Sequence, residues 1–207
     1  MNPARVRGLA DALELATDAL LITQNRANMN YGDVLNASAM PERKAGLPAT
    51  FLLHFESRFN IEPDVVADPL GRMAMYLWYL DEFRQVCAEI LAGLKRRPLE
   101  FVDISPRYQV NISSRYQEVP INGYVTRDAQ GDTYGRIHLD FGDIWENKID
   151  EVARTIVHEA SHKFAHTKDL AYVYQEVNMR ELPPGRALTN ADSIAQMVMD
   201  TVKLNLR

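Results

Sequence analysis

The chain has little cysteine, no excess of basic residues and no long apolar run. Cys87 is the only cysteine in 207 residues, so an intramolecular disulfide is excluded. The formal net charge is −5, which argues against a nucleic-acid-binding protein. The longest apolar run, residues 73–80, is far shorter than the roughly 20 residues that a membrane-spanning helix needs. These absences favour a globular protein that folds without disulfides and does not span a membrane.

The N-terminal segment does not fit a secretory signal peptide. Asp11, Glu14 and Asp18 interrupt the stretch that would have to be apolar. We therefore expect synthesis in the cytoplasm and, for an exported protein, a secretion route that uses no signal peptide. Hydrophobic residues make up 46% of the chain and charged residues 25%, which is ordinary for a globular domain of this length.

Apolar periodicity predicts helices in the first half and again towards the C-terminus, with short strands between them. An apolar stripe of helical spacing around residues 9–20 predicts the first helix. Further helices are predicted at 50–59, at 72–95, from about 150 onwards, and at 190–204, where the last one closes the chain. The predicted strands are 99–104, 108–113, 121–126 and 133–141, with a turn at 128–132. This order predicts an α+β fold with a helical N-terminal half and a small, mostly antiparallel sheet.

The segment from His158 to His162 has the pattern His-Glu-x-x-His within a predicted helix. Side chains at i and i+4 are neighbours on a helix, so the two imidazoles can share a metal ion while Glu159 serves as a base. The apolar stripe of this helix predicts a buried face opposite the two histidines, formed by Ile149, Val152, Ala153, Ile156, Ala160 and Phe164. The alternative is an ordinary solvent-facing polar surface, which Glu151 and Thr155 share.

A catalytic zinc ion is held by three protein ligands and keeps one open position. Spacing alone leaves the third ligand open. His166 continues the i, i+4 series, but two such steps span about 12 Å of helix axis. Asp169 could fold back from beyond the helix end, and Glu176 or Glu181 could serve as in gluzincins.

Four segments carry a resemblance to a known family. In order they are Arg-Ile-His-Leu-Asp-Phe from Arg136, Thr-Ile-Val-His-Glu-Ala-Ser-His from Thr155, Thr-Lys-Asp-Leu-Ala-Tyr from Thr167, and Asn-Ala-Asp-Ser from Asn190. Over about residues 134–200 the chain resembles the aspzincin metallopeptidases, the deuterolysin and peptidyl-Lys metalloendopeptidase group. The resemblance does not cover the first 95 residues.

The resemblance implies a zincin-like fold and a zinc endopeptidase that acts on protein or peptide substrates. The length of the chain and the order of its predicted elements favour a single domain over 1–207, with a helical region at 1–97 and a catalytic region at 98–207. Zn²⁺ would activate a water molecule. The implied metal ligands are His158, His162 and Asp169, with Glu159 as general base, Tyr172 as oxyanion donor and Asp192 in the substrate pocket.

Each implied role has a structural alternative. Asp169 could be a solvated loop acid and Tyr172 a packing residue. Asp192 could belong to a capping box with Thr189 at the start of the last helix. The chain also departs from the family, because His166 stands where the family has a glycine, and this leaves His166 as a substitute ligand.

Three functional hypotheses follow. The first is peptide-bond hydrolysis by a metal-activated water, with an extended substrate pairing with the strand at 137–141. The second is that this peptidase is a bacterial toxin or effector with a cognate inhibitor or immunity protein. It rests on the missing signal peptide and disulfides. The third is a non-enzymatic interaction protein with a structural metal site. Within the first hypothesis, the alternative is a gluzincin-type peptidase with another third ligand.

Overall fold

A computed structural model describes residues 3–39, 49–62, 66, 68–96, 99–103, 123–127, 133–140, 148–172, 174 and 176–205 of the chain. The helices are α1 (Pro3–Ala39), α2 (Ala49–Phe59), α3 (Pro69–Lys95), α4 (Ile149–Ala165), α5 (Glu176–Glu181), α6 (Pro184–Ala187) and α7 (Ala191–Lys203). The strands are β1 (Phe101–Asp103), β2 (Gly123–Arg127) and β3 (Thr133–Leu139). The predicted α+β class is confirmed, while the strand predicted at 108–113 and the turn at 128–132 lie outside the described residues.

The described strands form a mixed sheet in the order β1-β3-β2. β1 pairs parallel to β3, with Phe101 opposite Ile137, and β2 pairs antiparallel to β3, with Gly123 opposite Leu139. The sheet predicted as mostly antiparallel is thus mixed in the part of the chain that the structure describes, with one parallel and one antiparallel strand pair. A parallel pair needs a long return connection, and residues 104–132, which include β2, supply it between β1 and β3.

β3 is the central strand, and this corrects the predicted substrate contact. From Ile137 to Leu139 the strand is paired with β1 on one side and with β2 on the other. Its main-chain groups over these residues are therefore already used within the sheet. An extended peptide could add only to an outer strand.

Helix α4 lies in the middle of the structure and contacts α1, α3, α7 and the strands β2 and β3. Gly93 of α3 allows one of these contacts, because a Cβ atom there would lie 2.1 Å from the ring of Phe164. A glycine is therefore required for α3 and α4 to approach this closely. Apolar residues of both halves of the chain belong to one core, including Phe55, Phe83, Ile156 and Ile194.

The amphipathic prediction for α4 is only partly correct. Val152, Ala153, Ile156 and Ala160 are buried as predicted, but Ile149 is 38% exposed. The opposite face is buried too, since only 9% of His158 and 3% of His162 is exposed. A helix covered on several sides buries polar residues as well, and buried polar groups need partners.

Polar contacts also join the N-terminal helices to α7. The hydroxyl of Thr23 in α1 donates a hydrogen bond to the carbonyl oxygen of Val198, at 3.3 Å. From α2, Arg58 lies 2.7 Å and His54 3.0 Å from a carboxylate oxygen of Asp200. None of the described helices is long and apolar enough to cross a membrane.

Candidate metal centre

Three side-chain atoms converge beside α4. The Nε2 atoms of His158 and His162 lie 3.2 Å apart. Oδ1 of Asp169 lies 3.1 Å from Nε2 of His158 and 3.0 Å from Nε2 of His162. Among the described residues, these three form the group of ligand-type side chains with the spacing for a metal ion.

The triangle of donor atoms fits zinc. A tetrahedral zinc ion with bonds of roughly 2.0–2.1 Å separates neighbouring ligand atoms by roughly 3.3 Å. The observed separations of 3.0–3.2 Å are close to this value. Two imidazoles and a carboxylate also form a donor set of the kind found in catalytic zinc sites, which keep a fourth position open.

Hydrogen bonds on the far side of each ring set the tautomers. Nδ1 of His162 lies 2.9 Å from the carbonyl oxygen of Thr167, which can only accept, so this nitrogen carries the proton. Nδ1 of His158 lies 2.9 Å from Oδ1 of Asp192 and donates to that carboxylate in the same way. Both Nε2 lone pairs are then directed towards Asp169. Three acceptor atoms this close together repel one another, so the arrangement requires a proton or a metal ion between them.

A proton can meet that requirement when no metal is bound. Burial lowers the pKa of His158, but hydrogen bonds to Asp169 and Asp192 and the nearby carboxylate charges outweigh it and raise the pKa to about 9. Burial would raise the pKa of Asp169, yet the hydrogen bonds from His158 and His162 hold it well below its usual range. The site is thus strongly favourable for positive charge.

Glu159 lies beside this group and is itself buried. Its Oε1 atom is 4.0 Å from Nε2 of His158, so the carboxylate faces the same space as the converging donor atoms. The first residue of β2 packs against the other side of Glu159, since a Cβ atom at Gly123 would lie 3.0 Å from the Cγ atom of Glu159. The sheet therefore restricts where this carboxylate can be.

His166, the alternative third ligand, lies outside the converging group. It is the C-cap residue of α4, in the left-handed conformation with φ 54° and ψ 29°, and its side chain is exposed. Its backbone N–H donates to the carbonyl oxygen of Ser161, which closes the helix end. The chain therefore turns back at the end of α4 through a histidine in the left-handed conformation, where glycine is the usual residue. Glu181 is an exposed residue at the end of α5.

Two tyrosines extend from the site towards the surface. The ring of Tyr172 stacks on that of His158, with centroids 6.4 Å apart, and the ring of Tyr174 stacks on Tyr172 at 5.3 Å. Burial, together with the negative charges of Asp169 and its neighbours, raises the pKa of Tyr172 to about 12. The phenol therefore keeps its proton at neutral pH and can donate a hydrogen bond.

Asp192 lies behind His158. It is 4% exposed, and its Oδ1 atom also accepts a hydrogen bond from Arg154 at 3.0 Å. The predicted capping box with Thr189 is wrong, because Asn190 is the N-cap of α7 and the hydroxyl of Thr189 donates to the carbonyl oxygen of Arg186.

Several residues around the site were missed from the sequence. Arg154 precedes His158 by one helical turn, so a helical wheel could have placed it there. Gly123 acts through a contact between distant segments, and no local pattern marks it. Asn190 begins one of the four matched segments, but that pattern does not show which groups its side chain contacts. Their roles appear only once the fold is known.

Comparison with known proteins agrees with the predicted family resemblance. Residues 141–197 match the sequence profile of the aspzincin family, described as lysine-specific metallo-endopeptidase. Among solved structures, a zinc peptidase from Grifola frondosa is similar over 98% of both chains, with a TM-score of 0.59 and 16% sequence identity. At that identity the likeness shows the fold. No curated protein matches the sequence.

The chain thus has the fold of a zinc peptidase and, over a segment, resembles the aspzincin metallopeptidases. The matched segment contains all six of the predicted site residues, from His158 to Asp192. Zinc as the expected cofactor agrees with both comparisons, since the family is one of metallopeptidases and the similar structure is a zinc enzyme.

Proposed function

We propose that this protein is a zinc-dependent endopeptidase. The observation that carries the proposal is the convergence of two imidazole nitrogens and one carboxylate oxygen within 3.0–3.2 Å, beside a buried glutamate. A purely structural zinc site is closed by four protein ligands and has no use for an adjacent base. This difference favours an enzyme over a non-enzymatic interaction protein.

The roles of the ligands follow from their donor atoms. His158, His162 and Asp169 would hold the ion through Nε2, Nε2 and Oδ1. When bound, zinc supplies the Lewis acidity that acidifies water and polarises a carbonyl group. Asp192 and the carbonyl oxygen of Thr167 keep the proton of each imidazole on Nδ1. We propose this orienting role for Asp192 beside the predicted pocket role, which stays a prediction.

Glu159 is proposed as the general base. Its carboxylate accepts a proton from the attacking water and delivers it to the nitrogen of the departing amine. The support is its burial and the 4.0 Å separation between Oε1 and Nε2 of His158. Tyr172 is proposed to donate a hydrogen bond to the developing oxyanion, since its raised pKa keeps the phenol protonated.

For the substrate we propose an extended segment of protein or peptide. β2 supports this proposal, because among the residues that the structure describes it pairs only with β3 and its first residue touches Glu159. A peptide added to β2 would pass close to the proposed base.

The test is digestion of a peptide library by wild type and by Glu159→Gln, each with and without a chelator, read by mass spectrometry. Wild type should cleave only when metal is present. Glu159→Gln keeps the size of the side chain but loses the base, so we expect zinc stoichiometry to stay at the wild-type value while turnover falls at least ~100-fold. Wild-type turnover in this variant would overturn the assignment of the base.

The third ligand is tested by a matched pair of variants. Asp169→Ala should lower the zinc stoichiometry of the purified protein, and His166→Ala should leave it unchanged. The expectation rests on Oδ1 of Asp169 lying 3.0 Å from Nε2 of His162 and on the exposure of His166. The reverse result would support His166, and loss of zinc in neither variant would favour a gluzincin-type ligand.

We also propose that residues 1–207 form a single domain, in which the helical region 1–97 supports the catalytic region 98–207. The contacts of Thr23 with Val198 and of Arg58 with Asp200 support this proposal. One cooperative unfolding transition, coincident by circular dichroism and tryptophan fluorescence, is the expected result. Two separated transitions would contradict it.

A toxin or effector role, export without a signal peptide and a cognate inhibitor stay predictions. They are tested by expressing wild type and Glu159→Gln in the cytoplasm and in the periplasm of a bacterial host. Growth arrest by wild type alone would support a toxin that acts through peptidase chemistry. Equal growth of both strains in both compartments would contradict it.

A further inference from the structure

We propose that Asn190 is a positioning residue that holds the Asp169 carboxylate at the metal centre. This inference rests on the proposed function, because it takes Asp169 as a zinc ligand. His158 and His162 lie on a rigid helix, whereas Asp169 lies in the segment between α4 and α5. A ligand on an irregular segment needs other contacts to keep its place.

Asn190 supplies those contacts from the start of α7. It is fully buried, and its Oδ1 atom accepts hydrogen bonds from the backbone N–H groups of Leu170 at 2.9 Å and Ala171 at 3.2 Å. Its Nδ2 atom donates to the carbonyl oxygen of Ala171 at 2.9 Å and contacts the hydroxyl of Ser193 at 3.0 Å. One amide thus satisfies three main-chain groups directly after Asp169.

The backbone beside Asn190 holds the residue before Asp169. The N–H of Lys168 donates to the carbonyl oxygen of Thr189 at 2.8 Å, and the N–H of Ala191 donates to the carbonyl oxygen of Lys168 at 3.0 Å. The residues before and after Asp169 are therefore both hydrogen-bonded to the segment that begins α7. The same segment carries Asp192, which contacts His158.

The side chain of Asn190 does not cap its own helix, although Asn190 is the N-cap residue of α7. An asparagine at an N-cap usually accepts a hydrogen bond from its own helix, which is typically worth about 1 kcal/mol. In α7 the N-cap residue Asn190 makes no such bond, and its side chain is directed to the segment 170–171 instead. A residue that breaks a local rule in this way is expected at a functional site.

The experiment measures zinc affinity by competition with a chelating dye. The variants are Asn190→Ala and Asn190→Ser; serine is a favoured N-cap residue, so it preserves α7, but it is too short to bind all three groups. We expect each variant to bind zinc at least ~10-fold more weakly than wild type, as is typical when a residue supporting a ligand is lost. If Asn190→Ala does not fold, Asn190→Ser carries the test.

A double-mutant cycle separates positioning from general stabilisation. In an Asp169→Ala background, Asn190→Ser should change the remaining zinc affinity less than twofold, because the ligand that it positions is gone. Thr201→Ala is the control, since Thr201 is a buried polar residue of α7 whose hydroxyl donates within the helix to Met197. It should bind zinc as wild type does.

Two results would overturn the inference. One is wild-type zinc affinity in folded Asn190→Ser, and the other is an equal loss with and without Asp169. Wild-type protein that binds zinc but cleaves no peptide would contradict the proposed peptidase function and leave this inference standing. A wild type that binds no zinc would overturn both.

Discussion

Oδ1 of Asp192 lies 2.9 Å from Nδ1 of His158 and 3.0 Å from a guanidinium nitrogen of Arg154. The carboxylate therefore connects an arginine to an imidazole whose other nitrogen faces the converging donor atoms. A carboxylate in this position fixes the ring orientation and makes the imidazole a stronger ligand. The guanidinium offsets the negative charge that Asp192 would otherwise bring into a buried site.

From this relationship we expect Asp192→Asn and Asp192→Ala to weaken zinc binding by different amounts. Asparagine can still accept the hydrogen bond from Nδ1 but has no charge, so we expect a loss of about tenfold. Alanine removes the acceptor and leaves Arg154 without this partner, so we expect about 100-fold. Competition with a chelator measures both, and equal affinity of Asp192→Ala and wild type would contradict the orienting role.

The sequence predicted those residues of the candidate site whose spatial relation is local. His158 and His162 share a helical face through their i, i+4 spacing, and Asp169 follows shortly after the helix end. The roles of Gly123 and Asn190 depend on β2 and α7 returning to the site, and short-range patterns do not contain that information. The local pattern at Thr189 and Asp192 even predicts a capping box, whereas the N-cap of α7 is Asn190.

The metal-free protein should lose stability as the pH rises. Burial lowers the pKa of His158, but Asp169 and Asp192 raise it to about 9, above the ordinary value of 6.5. A raised pKa means that the folded state binds the proton more tightly than the unfolded state does. This contribution to the free energy of unfolding, on the order of 3 kcal/mol, is fully present below pH 6.5 and lost as the pH rises through 9.

Urea unfolding of chelator-treated protein between pH 6 and pH 9.5 measures this loss. Zinc-loaded protein is the control, because zinc binds the neutral imidazole and the proton is already displaced. Its stability should change less over the same range. A metal-free form whose free energy of unfolding stays constant through this range would show that His158 does not hold the proton.

The left-handed conformation of His166 predicts a stabilising substitution. A residue with a Cβ atom is strained at φ 54°, and glycine is not. Glycine also makes the unfolded chain more flexible, which offsets part of the stabilisation that comes from relieving the strain. We therefore expect a net gain in the free energy of unfolding of up to ~1 kcal/mol for His166→Gly. His166→Ala keeps the strain and should gain nothing, so this pair separates backbone effects from loss of the imidazole.

Thermal unfolding of the two variants checks the stability difference, and zinc titration checks the ligand assignment. Both variants should bind zinc as wild type does. Weaker zinc binding in both would show that the imidazole of His166 takes part in the site. Equal melting temperatures of His166→Gly and His166→Ala would show that the helix end stores no strain.

The close packing of Gly123 against Glu159 predicts that a substitution at Gly123 lowers turnover and leaves zinc affinity unchanged. A Cβ atom at this position would lie 3.0 Å from Cγ of Glu159, and also 3.0 Å from the carbonyl oxygen of His138 and from a methyl group of Leu139. The paired backbone of β3 cannot easily yield, so a Cβ atom would displace β2 or the side chain of Glu159 by a few tenths of an ångström. Because a small displacement of the proposed general base is costly, Gly123→Ala should lower kcat on the order of tenfold.

The chain offers a matched control for this substitution. Gly185 lies in α6 with nothing within 4 Å of where its Cβ atom would be, so Gly185→Ala should leave both kcat and zinc affinity unchanged. Gly123→Val should lower kcat further than Gly123→Ala, because its branched side chain displaces Glu159 more. Zinc affinity should stay at the wild-type value in all three variants, since Glu159 is not a ligand. A Gly123→Ala protein that loses zinc and turnover together would mean that β2 supports the ligands and not the base.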